Sequence, residues 1–222
     1  MTRIYMVRHC EAEGNVKRIF QGISDLDITE LGAKQLKYLE KRFENIPLDK
    51  IYSSPLIRTQ KTAAAVKGTK DIEIEINDGL IELNGGIVEG KPFKETFDSM
   101  PDLLDAWLNH PQDFHPEGGE YMSDAYERIW NTVLNIAKEN KGKNIACTSH
   151  GGVIRCLNCR LLLGNIKELK NMAWSDNTAI TLIEFDDNFK PNVVFANVTS
   201  HLPDDLILQK SRLSSFMGGA KA

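Results

Sequence analysis

The chain has 222 residues, a formal net charge of -4 and 41% hydrophobic residues. That size suits one folded domain with a real core, and the weak negative charge argues against a general nucleic-acid or acidic-membrane surface. No apolar run reaches the roughly 20 residues that span a bilayer. The first residues lack the apolar core of a secretion signal, and four cysteines in core-like segments suit a reducing cytoplasm better than a disulfide framework.

Ile4, Tyr5, Met6 and Val7 read as a buried strand that runs into Arg8-His9. A polar loop follows through Asp27. Thr29 then has the character of a helix N-cap, with Leu31, Leu36, Leu39 and Phe43 as the apolar stripe behind it. Lys50 to Ser53 is a short strand, and Ser54-Pro55 opens the next helix, which Gly68 ends. Residues 72–76 alternate isoleucine with Glu73 and Glu75, the pattern of a half-exposed edge strand. Residues 91–120 carry prolines, aromatics and acids and are expected to form a lid excursion over the active face. Residues 126–140 have helical amphipathicity. Residues 144–148 form a second buried strand that ends at Ser149-His150-Gly151-Gly152, and a helix follows to Leu163. Residues 179–185 and 192–197 read as late antiparallel strands, which can stay internal or pair across a homodimer. A single domain over 1–213 with a frayed tail at 214–222 is expected.

Strands that alternate with helices put His9 and His150 at carboxyl ends of a sheet, where open α/β folds bind ligands. A neutral imidazole can attack a phosphoryl group without the repulsion an anionic nucleophile meets. Cations and amides must then match the oxygens of the transferring group. Arg8 adjoins His9, but neighbours on a strand point to opposite sides, so both reach one ligand only if the chain bends there. Arg58 falls in the first turn of a helix, where guanidinium and helix amides can converge on an anion. Gly151 and Gly152 allow close backbone approach after His150. Glu82, just beyond a predicted strand, is the best candidate for a general acid. The attacking His9 must be neutral, whereas His150 is more useful protonated, so a bell-shaped pH profile is expected.

Together these segments resemble the histidine phosphatase superfamily, also called the phosphoglycerate mutase-like family, from Arg3 to about Asn197. Arg8-His9 is similar to the start of the first signature, with Asn15 at its asparagine and Phe20-Gln21-Gly22 at the following phosphate loop. The run from Ser53 to Ala63 resembles the second signature, Leu80 to Asn84 the acid-bearing segment with Glu89-Gly90 closing it, and Ser149 to Gly152 the second histidine. The resemblance implies a three-layer α/β/α sandwich with a mostly parallel central sheet. It implies that His9 accepts the phosphoryl group and that Arg8, Arg58 and His150 hold its oxygens, helped by Asn15, Gln21 and Gly151. Glu82 would protonate the leaving alcohol and then activate water. No metal and no cofactor are implied.

Cys10 stands where the first signature has glycine, Ala12 where it often has serine or threonine, and Tyr121 where serine is common. Position 12 can thereby lose one phosphate hydrogen bond, and Cys10 beside a cationic pocket is expected to have enhanced thiolate character. His110, His115 and His201 read as surface or loop histidines. Cys156 and Cys159 fall inside a predicted helix without a partner pair, and Phe93, Phe97, Trp107, Phe114 and Tyr121 read as core or lid packing. Between Leu83 and Gly118 the only lysines or arginines are Lys91 and Lys94. That favours hydrolysis of a small phosphorylated metabolite over phosphoglycerate mutase-type transfer, and the departures at 10 and 12 motivate a third reading, a silent phosphate-binding protein.

Overall fold

A computed structural model describes residues 1–207; the tail expected at 214–222 lies outside the described residues. The strands are β1 (Thr2–Arg8), β2 (Lys50–Ser53), β3 (Ile74–Ile76), β4 (Asn144–Ser149), β5 (Ile180–Phe185) and β6 (Pro191–Val198). They form one sheet in the order β3-β2-β4-β1-β5-β6. The first four of that order run parallel, and β5 and β6 add an antiparallel edge. The helices are α1 (Glu13–Lys17), α2 (Glu30–Phe43), α3 (Ile57–Lys67), α4 (Phe93–Ser99), α5 (Pro101–Asn109), α6 (Met122–Glu139) and α7 (Gly151–Leu162).

Because successive strand side chains face opposite sides, each central strand feeds two cores. Ile4, Met6, Tyr52, Ile145 and Cys147 pack with Ile129, Val133, Val153 and Leu157 of α6 and α7. Val7, Ile51 and Ala146 pack with Leu39 and Phe43 of α2 and with Ala63 and Val66 of α3. Helices therefore cover both faces, which makes the α/β/α layering. Among the described residues no helix is long and apolar enough to cross a membrane.

Thr29 caps α2, its hydroxyl accepting the Gly32 N–H at 3.0 Å while donating to Glu11 Oε1 at 2.7 Å. The buried stripe of α2 contains a polar residue, Gln35. Its carboxamide is fully used: Oε1 accepts the Glu11 N–H at 2.8 Å and Nε2 donates to the Leu206 carbonyl at 3.0 Å. Pro55 does not open α3, which starts two residues later with Leu56 as its N-cap. Helix α6 begins at Met122 rather than near Tyr126, because Met122 and Ala125 extend the buried stripe by a turn.

Residues 91–120 contain α4 and α5 and are stitched to the loop after β1. Phe20 N–H bonds the Lys91 carbonyl at 2.9 Å, and Phe93 N–H bonds Arg18 at 3.0 Å. The aromatics of this stretch pack on each other rather than lining a free cradle. Trp107 touches Phe114, Trp174 and Phe20 at centroid distances of 4.8, 5.7 and 5.8 Å. Tyr121 stands apart from this cluster and stacks on His115 at 3.6 Å.

Gly32 lets α2 press against the loop that follows His9: a Cβ there would lie 2.2 Å from the Glu11 carbonyl oxygen and 3.3 Å from Cys10 Sγ. Backbone cannot yield cheaply, so Gly32→Ala is expected to lower folding stability by about 2 kcal/mol. Urea unfolding of the two proteins measures it, and an unchanged midpoint would show that the loop is not pinned there.

Candidate active site

Parallel pairing of β1 with β4 sets Arg8 opposite Ser149, and β2 with β4 sets Ser53 opposite Thr148. The residues that leave these strands therefore meet at one edge of the sheet. His9 N–H bonds the Ser149 carbonyl at 3.0 Å, and the His9 and His150 rings lie 5.3 Å apart at 60°. Beyond Ser53 the chain enters α3, whose second residue is the fully buried Arg58. β1 ends at Arg8, so His9 lies beyond the strand's strict alternation. The Arg8 guanidinium donates to the Ser175 carbonyl and packs on Gly151 at the start of α7, where a Cβ would lie 3.1 Å from it.

The hydrogen bonds assign both imidazoles. His9 Nδ1 lies 2.6 Å from the Cys10 carbonyl oxygen. A carbonyl only accepts, so Nδ1 carries the proton and Nε2 keeps its lone pair. Burial, reinforced by Arg58 and Arg8, holds the His9 pKa well below its ordinary 6.5. His150 takes the opposite tautomer, with Nδ1 accepting from Arg58 Nε at 3.2 Å and Nε2 bonding Ser54 Oγ at 2.7 Å.

The expectation of a protonated His150 is therefore corrected. Burial, then the charges of Arg58, Arg8 and Arg128, hold its pKa well below 6.5. The positive charge of the site resides on arginine. Burial lowers Arg58 to about 10, with Glu82, Asp25 and Glu89 opposing the shift. It also lowers Arg8, opposed by Glu82 and Asp176.

Arg58 is held from several sides. Its Nη1 donates to the Ser24 carbonyl and its Nη2 to Gly22, each at 2.7 Å. Those carbonyls are fixed in turn by Glu89, whose carboxylate accepts from Ile23 N–H, Ser24 N–H and hydroxyl, and Gly85 N–H. Glu82 projects onto the start of α7, where Oε2 accepts Gly152 N–H at 2.8 Å and Oε1 accepts Val153 N–H at 3.0 Å and Leu83 N–H at 2.9 Å. A Cβ on Gly152 would come within 2.7 Å of the carboxylate, so a larger residue there would push the Glu82 side chain aside.

Asn15 caps its own helix, Oδ1 accepting Ala12 N–H at 3.0 Å and also facing Asn177 Nδ2 at 3.4 Å. Asn177 Nδ2 donates to the His9 carbonyl at 3.0 Å. The Gln21 carboxamide lies on Gly14 with both polar atoms buried and without a protein partner, as is Arg8 Nε. The unpaired buried donors, Arg8 Nε and Gln21 Nε2, mark a place that favours an anion.

One further expectation is revised. Cys10 is fully buried against Gly32, and burial pushes its thiol up to about 12, so it has no enhanced thiolate character. His201 lies in a turn after β6, in keeping with its reading as a surface or loop histidine; it is half-buried against the Thr178 hydroxyl at 3.1 Å, and burial lowers it to about 4. Ala12 is the N-cap of α1, with its N–H satisfied by Asn15. Sequence reasoning missed the roles of Ser54 and Asn177. Ser54 stood inside a quoted signature but was read only as a helix opener, whereas Asn177 sits in a stretch without periodicity.

The chain matches the family model of the histidine phosphatase superfamily (branch 1) over residues 4–199, and it belongs to that family. It is 31% identical over 206 residues to phosphoserine phosphatase 1 of Hydrogenobacter thermophilus, covering 91% of this chain and 95% of that protein. It is 30% identical over 161 residues to a probable phosphoglycerate mutase (GpmB) of Salmonella choleraesuis, covering 71% and 73% respectively. A phosphoserine phosphatase from Entamoeba histolytica, solved as a variant with phosphoserine, superposes with a TM-score of 0.81 at 27% identity, over 90% of each chain or more (91% and 100%).

Burying His9 and His150 as neutral rings makes stability depend on pH. The unfolded rings take up protons near 6.5 and the folded ones only far lower, so stability is full above 6.5 and falls as pH drops below it. Each ring contributes up to about 1.4 kcal/mol per pH unit in that window. Urea unfolding at pH 7.5, 6.5 and 5.5 is expected to show a shallower acid-side decline for His150→Gln than for the unaltered protein. Equal slopes would mean that His150 is not buried neutral.

Proposed function

We propose that this histidine phosphatase-family protein hydrolyses phosphomonoesters of small metabolites through a phosphohistidine at His9. One observation carries the reading: the Nδ1 proton of His9 is committed to the Cys10 carbonyl, which leaves the Nε2 lone pair as nucleophile among Arg8, Arg58 and Glu82.

In the first step His9 Nε2 forms a bond to phosphorus as the bond from phosphorus to the alcohol oxygen breaks. The departing oxygen takes the proton of the Glu82 carboxyl. Arg8, the uncommitted donors of the Arg58 fork and the Gly151 amide stabilise the phosphoryl oxygens, with Asn15 and Gln21 at the rim. His150 lines the phosphoryl position and orients Arg58 through Nδ1. In the second step water attacks phosphorus and gives a proton to the Glu82 carboxylate. The bond from nitrogen to phosphorus breaks, and phosphate and free imidazole result. A neutral His9 needs no deprotonation to react, so the nucleophile sets no acid limb near 6.5.

The scarcity of positive charge in residues 83–118 supports a substrate class. Lys94 is paired with Asp98 at 2.6 Å, which leaves Lys91 as the one other cation of residues 83–118 besides histidine. A leaving group with few charges suits this environment better than a second phosphate does. Phosphoserine, which names the first relative and is bound in the solved structure, is the first substrate to test.

Rapid-quench mixing of labelled phosphomonoester with the protein is expected to trap an acid-labile phosphoprotein. His9→Ala should abolish both label and turnover, a loss of at least about 1,000-fold. Turnover by His9→Ala near the unaltered level would overturn the proposal, and transfer from 2,3-bisphosphoglycerate to monophosphoglycerate in place of hydrolysis would assign mutase chemistry.

A further inference from the structure

Glu82 stands on irregular backbone between two short 3-10 turns, Asp78–Leu80 and Gly86–Val88. An acid that must deliver a proton to one oxygen needs its main chain fixed, and no strand ladder supplies this. The carbonyls of the run are accounted for by two side chains. Arg128, on α6, donates through Nη1 to the Gly79 and Ile81 carbonyls at 2.9 and 2.8 Å, and its Nη2 reaches the Glu82 carbonyl at 3.5 Å. Ser149 Oγ donates to the intervening Leu80 carbonyl at 2.7 Å.

Arg128 is itself locked. Its Nε and Nη2 meet the two carboxylate oxygens of Glu120 at 2.8 Å each, a two-pronged pair with side chains only 23% and 20% exposed. One planar guanidinium thus joins a carboxylate to a string of carbonyls, a geometry that a lysine ammonium cannot reproduce. One turn along α6, Thr132 would meet a Cβ on Gly79 at 2.2 Å, so the run lies directly on the helix. Its carboxylate reaches the opposite way, to the α7 amides of Gly152 and Val153.

We propose that Arg128, locked by Glu120, is a positioning residue that holds the backbone of Glu82 so that its carboxyl reaches the leaving-group oxygen. This rests on the reading of Glu82 as the general acid. Arg128 makes its hydrogen bonds to the run that carries Glu82, although its charge also reaches His150, and its loss should matter most where protonation of the leaving group matters.

The test compares kcat/KM for an alkyl phosphate, whichever of O-phosphoserine and glycerol phosphate is turned over, with kcat/KM for p-nitrophenyl phosphate, whose phenolate departs without a proton. Glu82→Gln is expected to lower the alkyl value about 100-fold and the aryl value far less. Arg128→Met should reproduce the selectivity at about 10-fold or more, and in the Glu82→Gln background it should add less than about 2-fold. Glu120→Gln and Arg128→Lys, which disturb the lock more gently, should show the same selectivity if Arg128→Met does not fold. Equal losses on both substrates, or full additivity with Glu82→Gln, would reduce Arg128 to a structural role and overturn the proposal. If Glu82→Gln itself shows no alkyl-selective loss, the general-acid reading fails and the positioning role falls with it.

Discussion

The register between β1 and β4 is the constraint on which the site depends. With Arg8 opposite Ser149, the residues that follow each strand emerge side by side, and one backbone hydrogen bond from His9 to Ser149 joins them. A slip of one residue would turn Ile4 and Met6 toward the opposite layer and separate the two imidazoles. The register is held because both faces of these strands are buried, each with its own apolar set. Catalytic geometry and core packing are thus specified by the same alternation.

Given that frame, the site concentrates charge where burial opposes it. The fully buried Arg58 and the partly buried Arg8 sit beside two buried imidazoles, and the rings respond by staying neutral. The arginines keep their charge because carbonyls and carboxylates surround them: Ser175 for Arg8, Gly22 and Ser24 for Arg58, with Glu82, Asp25 and Glu89 nearby. Buried charges survive only when paired and hydrogen-bonded. The arrangement resolves a conflict in the chemistry, since a nucleophilic ring must be uncharged while its surroundings must attract an anion.

What could be read from the chain was what local pattern encodes. The strand ends at His9 and His150, the Thr29 cap and the edge character of β3 all follow from signals within a few residues of themselves. Arg58 was placed correctly in the first turn of its helix even though Pro55 lies outside it. The misreadings share a cause. The charge of His150 depends on an arginine 92 positions away, and the inertness of Cys10 depends on its being sealed beneath Gly32. The Glu89 carboxylate, whose donors Ile23 and Ser24 lie 66 and 65 positions away, is equally silent in any local window. Periodicity reports which face is buried, but not what a polar atom meets once inside.

The Gln35 carboxamide extends this dependence to a distant part of the chain. It links the Glu11 N–H, just after the nucleophile, to the carbonyl of Leu206, 171 positions from itself, with a hydrogen bond at each end. A chain that stopped short of Leu206 would strand an amide donor in the α2 layer, at a cost of about 1–3 kcal/mol. The stretch that ends at Leu206 is therefore a structural tether of the loop that follows His9.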